Sequence, residues 1–311
     1  MKRWFLKTVV AAACITGTVA PTVVHAADTY TQTRYPIVLV HGLFGWDSIG
    51  PVDYWWGIDT GLASGGAKVF VSQVSAANSS EVRGEQLLAE LQRLQATYGY
   101  SKFNLVGHSH GGQAVRYVAS VAPQLVASIT TMGTPHTGSP VADDIKAGTS
   151  ATGTTAWVAA VANAFAAVIS LLSGSPDLPQ DSEAAMNSLT TAGAAAFNAK
   201  YPQGAPSSSC GQGPELVNGV RYYSAGGNAV LTNVLDLSDA LLTLTSVSFK
   251  GASNDGLVGK CASHWGTVLR DDYVWNHLDE INQAFGLRGL FAPDPVAFYR
   301  SQANRLKSIG L

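Results

Sequence analysis

Charge is the scarcest property of this chain. Charged residues make up 13% of its 311 positions, about half the share usual in soluble proteins. There is no basic block and the formal net charge is −2, which excludes an electrostatic grip on nucleic acid. Cysteines number three, and no internal repeat is visible. What is abundant is apolar: 46% of residues are hydrophobic, and aromatic, branched and glycine residues are all well represented. That composition excludes a disordered chain. It suffices for a large core, as one big domain or two small ones.

The first 26 residues read as a secretory signal. Lys2, Arg3 and Lys7 are followed by an apolar run from Thr8 to Ala20 and a small-x-small pattern at Val24-His25-Ala26-Ala27. The run is too short for a membrane anchor. Cleavage after Ala26 leaves 16 cations against 21 acids, a net charge of about −5. Cys14 leaves with the signal. Cys210 and Cys261 remain as an even pair in an exported chain, and a disulfide between them is expected. A 51-position loop closed in this way is worth about 4 kcal/mol in the chain-entropy model.

Beyond the signal, strand-like and helical stretches alternate. Pro36 to Val40, Lys68 to Val74, Lys102 to Val106 and Ser128 to Met132 have the short apolar pattern of buried strands. Ser80 to Tyr98 is helical, with Val82, Leu87, Leu88, Leu91 and Leu94 on one side, and Gln113 to Ser120 forms another helix. This rhythm predicts an α/β fold, a parallel sheet covered on both faces. It breaks near 147–176, where no residue is charged and Trp157 to Leu172 is helical and almost wholly apolar. A membrane span, a buried core helix and a mobile cover over an apolar pocket are the three readings. The cover is preferred.

Gly107-His108-Ser109-His110-Gly111 matches G-x-S-x-G. The pattern alone is common. Here it follows an apolar strand and opens a helix, the context in which a sharp turn exposes a strained serine hydroxyl. Ser109 is therefore the predicted nucleophile. His41-Gly42-Leu43-Phe44-Gly45 follows the strand ending at Val40. In hydrolases of this plan such a loop supplies one oxyanion-hole N–H and the residue after the nucleophile supplies the other, here Leu43 and His110. The chain order Ser, acid, His leaves His264 and His277 as candidate bases, with His277 favoured. Asp255, in Ser253-Asn254-Asp255-Gly256 after a strand-like run from Thr245 to Lys250, is the candidate acid. The same cluster would also suit a simple Asx turn.

Taken together, YPIVLVHGLFG, GHSHGG, NDGLV and NHLDEINQ resemble the bacterial true lipases of family I, the Pseudomonas-type, foldase-dependent secreted lipases. The resemblance runs from about Tyr30 to the end of the chain. It implies a single α/β-hydrolase domain over 27–311 with a helical lid near 147–176. It implies extracellular triacylglycerol hydrolysis by Ser109, Asp255 and His277, and a periplasmic lipase-specific foldase as partner. It further implies one structural Ca2+, held by the carboxylates of Asp236 and Asp279 and the main-chain carbonyls of Gln283 and Leu287. Hard oxygen donors of this kind suit calcium, although aspartates at these places would also begin helices. A carboxylesterase for short soluble esters is the alternative within the same fold. A protein that has lost the chemistry and only binds lipid is the alternative outside it.

Overall fold

The computed structural model describes residues 28–45, 48–49, 52–148, 178–236, 238–283 and 285–311. The expected signal and the apolar stretch Trp157 to Leu172 lie outside them. Among the described residues no helix is long and apolar enough to cross a membrane.

The centre of the molecule is a seven-stranded sheet. Strand β1 (Ile37–Val40) has every side chain buried. A short antiparallel pair, β2 (Ser48–Ile49) and β3 (Val52–Asp53), follows it outside the sheet. Strand β1 lies between β4 (Val69–Ser72) and β5 (Phe103–His108), parallel to both. Strands β6 (Val126–Met132) and β8 (Val220–Gly227) continue the parallel order, with β7 (Leu216–Val217) antiparallel to β8 and β9 (Thr267–Tyr273) parallel to it. The period of two in β1 explains why a continuous apolar run is needed. Val38 and Val40 enter one core, with Leu87, Leu91, Phe103 and Val118. Ile37 and Leu39 enter the other, with Trp55, Ile58, Leu62 and Tyr299. A parallel sheet covered on both faces is the result.

The described helices are α1 (Ile58–Ser64), α2 (Ser80–Tyr98) and α3 (His110–Val121), then α4 (Pro140–Lys146), α5 (Ser182–Leu189) and α6 (Thr191–Lys200), then α7 (Ser238–Ser246) and α8 (Pro295–Ser308); α2 and α3 cover one face of the sheet and α1 and α8 the other. Helix α2 has the predicted bounds because both ends are capped. Ser79 Oγ accepts from Val82 N–H at 3.2 Å, and Gly99 closes the helix at φ 75°. Its inner face is Arg83, Gly84, Leu87, Leu91 and Leu94, whereas Val82 is exposed. The first turn thus departs from the expected stripe: at 3.6 residues per turn, Val82 points away when Arg83 points in.

The run Thr245 to Lys250 is not a strand. Residues 245–246 finish α7 and Val247–Phe249 form a 3-10 turn. Alternating Thr, Ser, Val and Phe fit a strand, but burial falls on Leu242, Thr245, Ser248 and Phe249, a helical spacing. Thr245 Oγ1 also donates at 2.7 Å to the carbonyl of Gly256 beyond the turn. The expected disulfide is present between Cys210 and Cys261.

Candidate active site

Strand β5 ends at His108 and α3 begins at His110, so Ser109 alone makes the reversal. It sits at φ 54°, ψ −128°, a conformation costly for a non-glycine residue. Its N–H donates to the Met132 carbonyl at the end of β6, at 2.9 Å. The reversal is tight: a Cβ at Gly111 would lie 2.3 Å from the Val40 carbonyl oxygen. Only glycine lets α3 start that close to β1.

The loop after β1 comes equally near. A Cβ at Gly42 would lie 2.8 Å from Ser109 Cβ and 2.7 Å from the Tyr54 hydroxyl. Leu43 N–H donates no hydrogen bond among the described residues. His110 is the first residue of α3, where amide groups have no intrahelical acceptor. Both N–H groups are thus available beside the serine.

Arg83, which the sequence left open between a brace for the His41–Gly45 loop and a solvated cation, fixes this loop. Its Nη2 donates to the carbonyls of His41 (2.7 Å) and Gly42 (3.0 Å). It is fully buried, and desolvation brings its pKa down to about 10. Burial, reinforced by the Arg83 charge, pushes His41 down to about 3.

Asp255 and His277 meet as expected: Nδ1–H of His277 donates to Oδ2 of Asp255 at 2.8 Å. The other carboxylate oxygen accepts from the backbone N–H of Leu257 (2.9 Å) and Val258 (2.7 Å). His264 takes no part; its Nε2 faces Asp271 at 3.0 Å and its Nδ1 faces the Gly211 carbonyl next to the disulfide. Beside His277 lies a second buried carboxyl, Glu280, with Oε2 3.9 Å from His277 Nδ1. Burial, with the nearby Asp255 charge, holds Glu280 well above the usual carboxylate range.

Two residues were missed. Gly42 N–H donates to the Tyr54 hydroxyl at 2.9 Å. That hydroxyl lies 2.6 Å from His108 Nδ1, and His108 Nε2 lies 3.0 Å from the His277 carbonyl. A carbonyl can only accept, so Nε2 carries the proton and Nδ1 accepts from Tyr54 O–H. Burial keeps His108 neutral. The result is a one-way bridge from the Gly42 loop through Tyr54 and His108 to the backbone of His277. No local motif could reveal it, because its members come from four separate segments.

Ser109 and His277 open on one cavity of about 270 Å3, walled mainly by apolar side chains such as Leu43, Val141, Leu189, Leu242 and Leu257.

Nearby, Asp236 and Asp279 are both buried, at 4% and 1% exposure. Asp236 Oδ2 and Asp279 Oδ1 have no hydrogen-bond partner among the described residues. Burial raises the Asp279 pKa to about 7, and the charges of Asp236 and Asp239 add to the rise. Asp239 is a third, unforeseen carboxylate; it accepts from the N–H of Thr232 and Asn233 and from Asn276 Nδ2. The main-chain carbonyls of Gln283 and Leu287 accept no hydrogen bond among the described residues. The uncompensated buried carboxylate oxygens of Asp236 and Asp279 fit a hard cation.

A serine at a strand–turn–helix reversal, beside a His–Asp pair and an apolar cavity at the sheet's C-terminal edge, is the layout of the α/β class of hydrolases. The comparisons agree. The family model described as alpha/beta hydrolase fold matches residues 35–265. A triacylglycerol lipase of Vibrio cholerae is 54% identical over 91% of this chain and 90% of that protein. One of Burkholderia plantarii is 45% identical over 96% and 93%. The lipase BlEst2 of Bacillus licheniformis, in its mature form, superposes with a TM-score of 0.57 at 23% identity, over 81% of this chain and 89% of that one. This last likeness concerns the fold alone. The chain belongs to the α/β-hydrolase family and, within it, to the bacterial triacylglycerol lipases.

Proposed function

We propose that the protein is a secreted lipase that hydrolyses triacylglycerol ester bonds through a Ser109 acyl-enzyme. The observation that carries this is the 2.8 Å pairing of His277 with Asp255 on a mainly apolar cavity that also holds Ser109. Asp255 fixes the tautomer of His277, leaving Nε2 to take the Ser109 proton as the hydroxyl attacks the ester carbonyl. The N–H groups of Leu43 and His110 hold the negative charge that develops on that oxygen. His277 then protonates the leaving glycerol oxygen. A water activated by the same His277 releases the fatty acid and restores Ser109.

One structural Ca2+ belongs to this reading. Asp236 and Asp279 would bind it through carboxylates, and Gln283 and Leu287 through main-chain carbonyls. The unpartnered buried carboxylate oxygens support it. Such an ion neutralises the acidic cluster. Asp236 and Asp279 come from segments flanking Asp255 and His277, so holding them together steadies both. The signal at 1–26, the lid near 147–176 and the foldase complete the proposal, on the strength of sequence.

The test is hydrolysis of a short-chain triacylglycerol across its solubility limit by wild type and Ser109→Ala. A rate that jumps when an emulsion forms, and is absent in the mutant, supports nucleophile and interfacial action together. A smooth saturating curve below the limit makes the protein a carboxylesterase for dissolved esters.

A further inference from the structure

Two β-turns beside the acidic cluster carry the wrong residues for water. In the first, Asp236 N–H donates to the Asn233 carbonyl at 2.8 Å, with Val234 and Leu235 at the tip. In the second, Ala292 N–H donates to the Gly289 carbonyl at 2.9 Å, with Leu290 and Phe291 at the tip. The central positions of such turns ordinarily take Gly, Pro, Asn, Asp or Ser. Here the four side chains are 87%, 73%, 89% and 93% exposed.

The turns stand side by side. Asn233 Nδ2 donates to the Arg288 carbonyl at 3.0 Å, and a Cβ on Gly289 would touch the Thr232 carbonyl oxygen at 3.5 Å. Exposed Leu231 and Phe285 flank them, with Phe285 edge-on to Trp56 at 5.3 Å. The tips lie close to the cavity along the chain: Leu241 and Leu242, which line it, come a few residues after Leu235, and Gln283, which also lines it, comes two residues before Phe285.

We propose that these twin tips are a docking surface for neutral oil, seating the cavity mouth on a triacylglycerol droplet. The inference rests on the lipid-substrate reading above. The occupant follows from shape and charge. Side chains this exposed at turn tips stand open to an apposed surface rather than enclosed by neighbours. Arg288 is the lone cation of the two turn segments, and it faces Asp294 at 4.0 Å, so anionic headgroups find no basic patch. What remains is apolar area, the quantity that sets partitioning into an oil surface.

The experiment measures binding in an inert background. Ser109→Ala protein is mixed with triolein droplets and the bound fraction is read by flotation. Leu290→Ser with Phe291→Ser, and separately Val234→Ser with Leu235→Ser, are each expected to lower the partition coefficient about tenfold or more. In the active chain the same pairs leave hydrolysis of dissolved p-nitrophenyl butyrate unchanged. Unchanged partitioning of both pairs overturns the proposal. If a serine pair fails to fold, Phe291→Cys carrying an environment-sensitive fluorophore decides. A blue shift on triolein is expected, and its absence overturns the proposal. Conversion of a dimer to a monomer by the serine pairs, with partitioning intact, also overturns it, because the tips then seat a second copy. Failure of the substrate reading looks different: wild type partitions and the variants do not, yet no rate rise accompanies the emulsion.

Discussion

His277 and Asp255 are joined twice. The imidazole Nδ1–H donates to the carboxylate at 2.8 Å, and the His277 amide N–H donates to the Asp255 carbonyl at 2.9 Å. The side-chain bond sets the tautomer, and the backbone bond sets the distance between the loops that present the pair. Asp255→Asn keeps the second bond and spoils the first, since an amide can donate to Nδ1 and leave the proton on Nε2. The expected result is a fall in kcat of about 10⁴ with an intact fold. A kcat within tenfold of wild type, with unchanged melting, would remove Asp255 from the mechanism.

Tyr54→Phe deletes the middle of the bridge between Gly42 and His108. It leaves a buried N–H and a buried ring nitrogen without their partner, at a cost of about 1–3 kcal/mol in stability. Because Gly42 precedes Leu43, the proposed oxyanion donor, kcat is expected to fall about tenfold while KM for a dissolved ester changes little. Equal changes in kcat and KM would contradict a positioning role.

Gly42→Ala is expected to abolish activity. The added methyl would sit 2.8 Å from Ser109 Cβ, so either the serine or the His41–Gly45 loop must move. The check is the ratio of active-site titration by a serine-directed phosphonate to folded protein by circular dichroism. Full titration would show that the loop has slack.

The calcium reading carries a pH signature. In the ion-free protein Asp279 has its pKa raised from 3.8 to about 7 by burial. A carboxyl with a raised folded pKa favours folding below its unfolded value, and that stability is lost as pH rises towards about 7. Chelation is therefore expected to lower Tm more at pH 8, where the carboxylate is ionised and uncompensated, than at pH 5. Equal Tm with and without chelator at pH 8 would rule the ion out.

Much of this was legible in the chain. The G-x-S-x-G turn, the His41–Gly45 loop, Asp255 and His277 all sit in short local patterns whose residue types the chemistry demands, and the apolar spacing over Ser80–Tyr98 placed α2. Arg83, Tyr54 and His108 were not legible as a set. Each acts on backbone atoms of a distant segment, and such contacts leave no periodicity in the sequence. The run at Thr245 misled because serine, threonine and β-branched residues serve both periods. Its helix is fixed by Thr245 reaching Gly256, a contact made only in the folded loop.

Among the described residues Arg83 is buried without a carboxylate partner, and this has a consequence for proton traffic. A fixed positive charge behind the nucleophile adds to desolvation in keeping His41 and His110 neutral, and burial does the same for His108. Three of the four imidazoles around Ser109 are therefore closed to a proton at physiological pH. In the mechanism proposed above, these three neutral rings offer the Ser109 proton no competing base, which leaves His277 to take it.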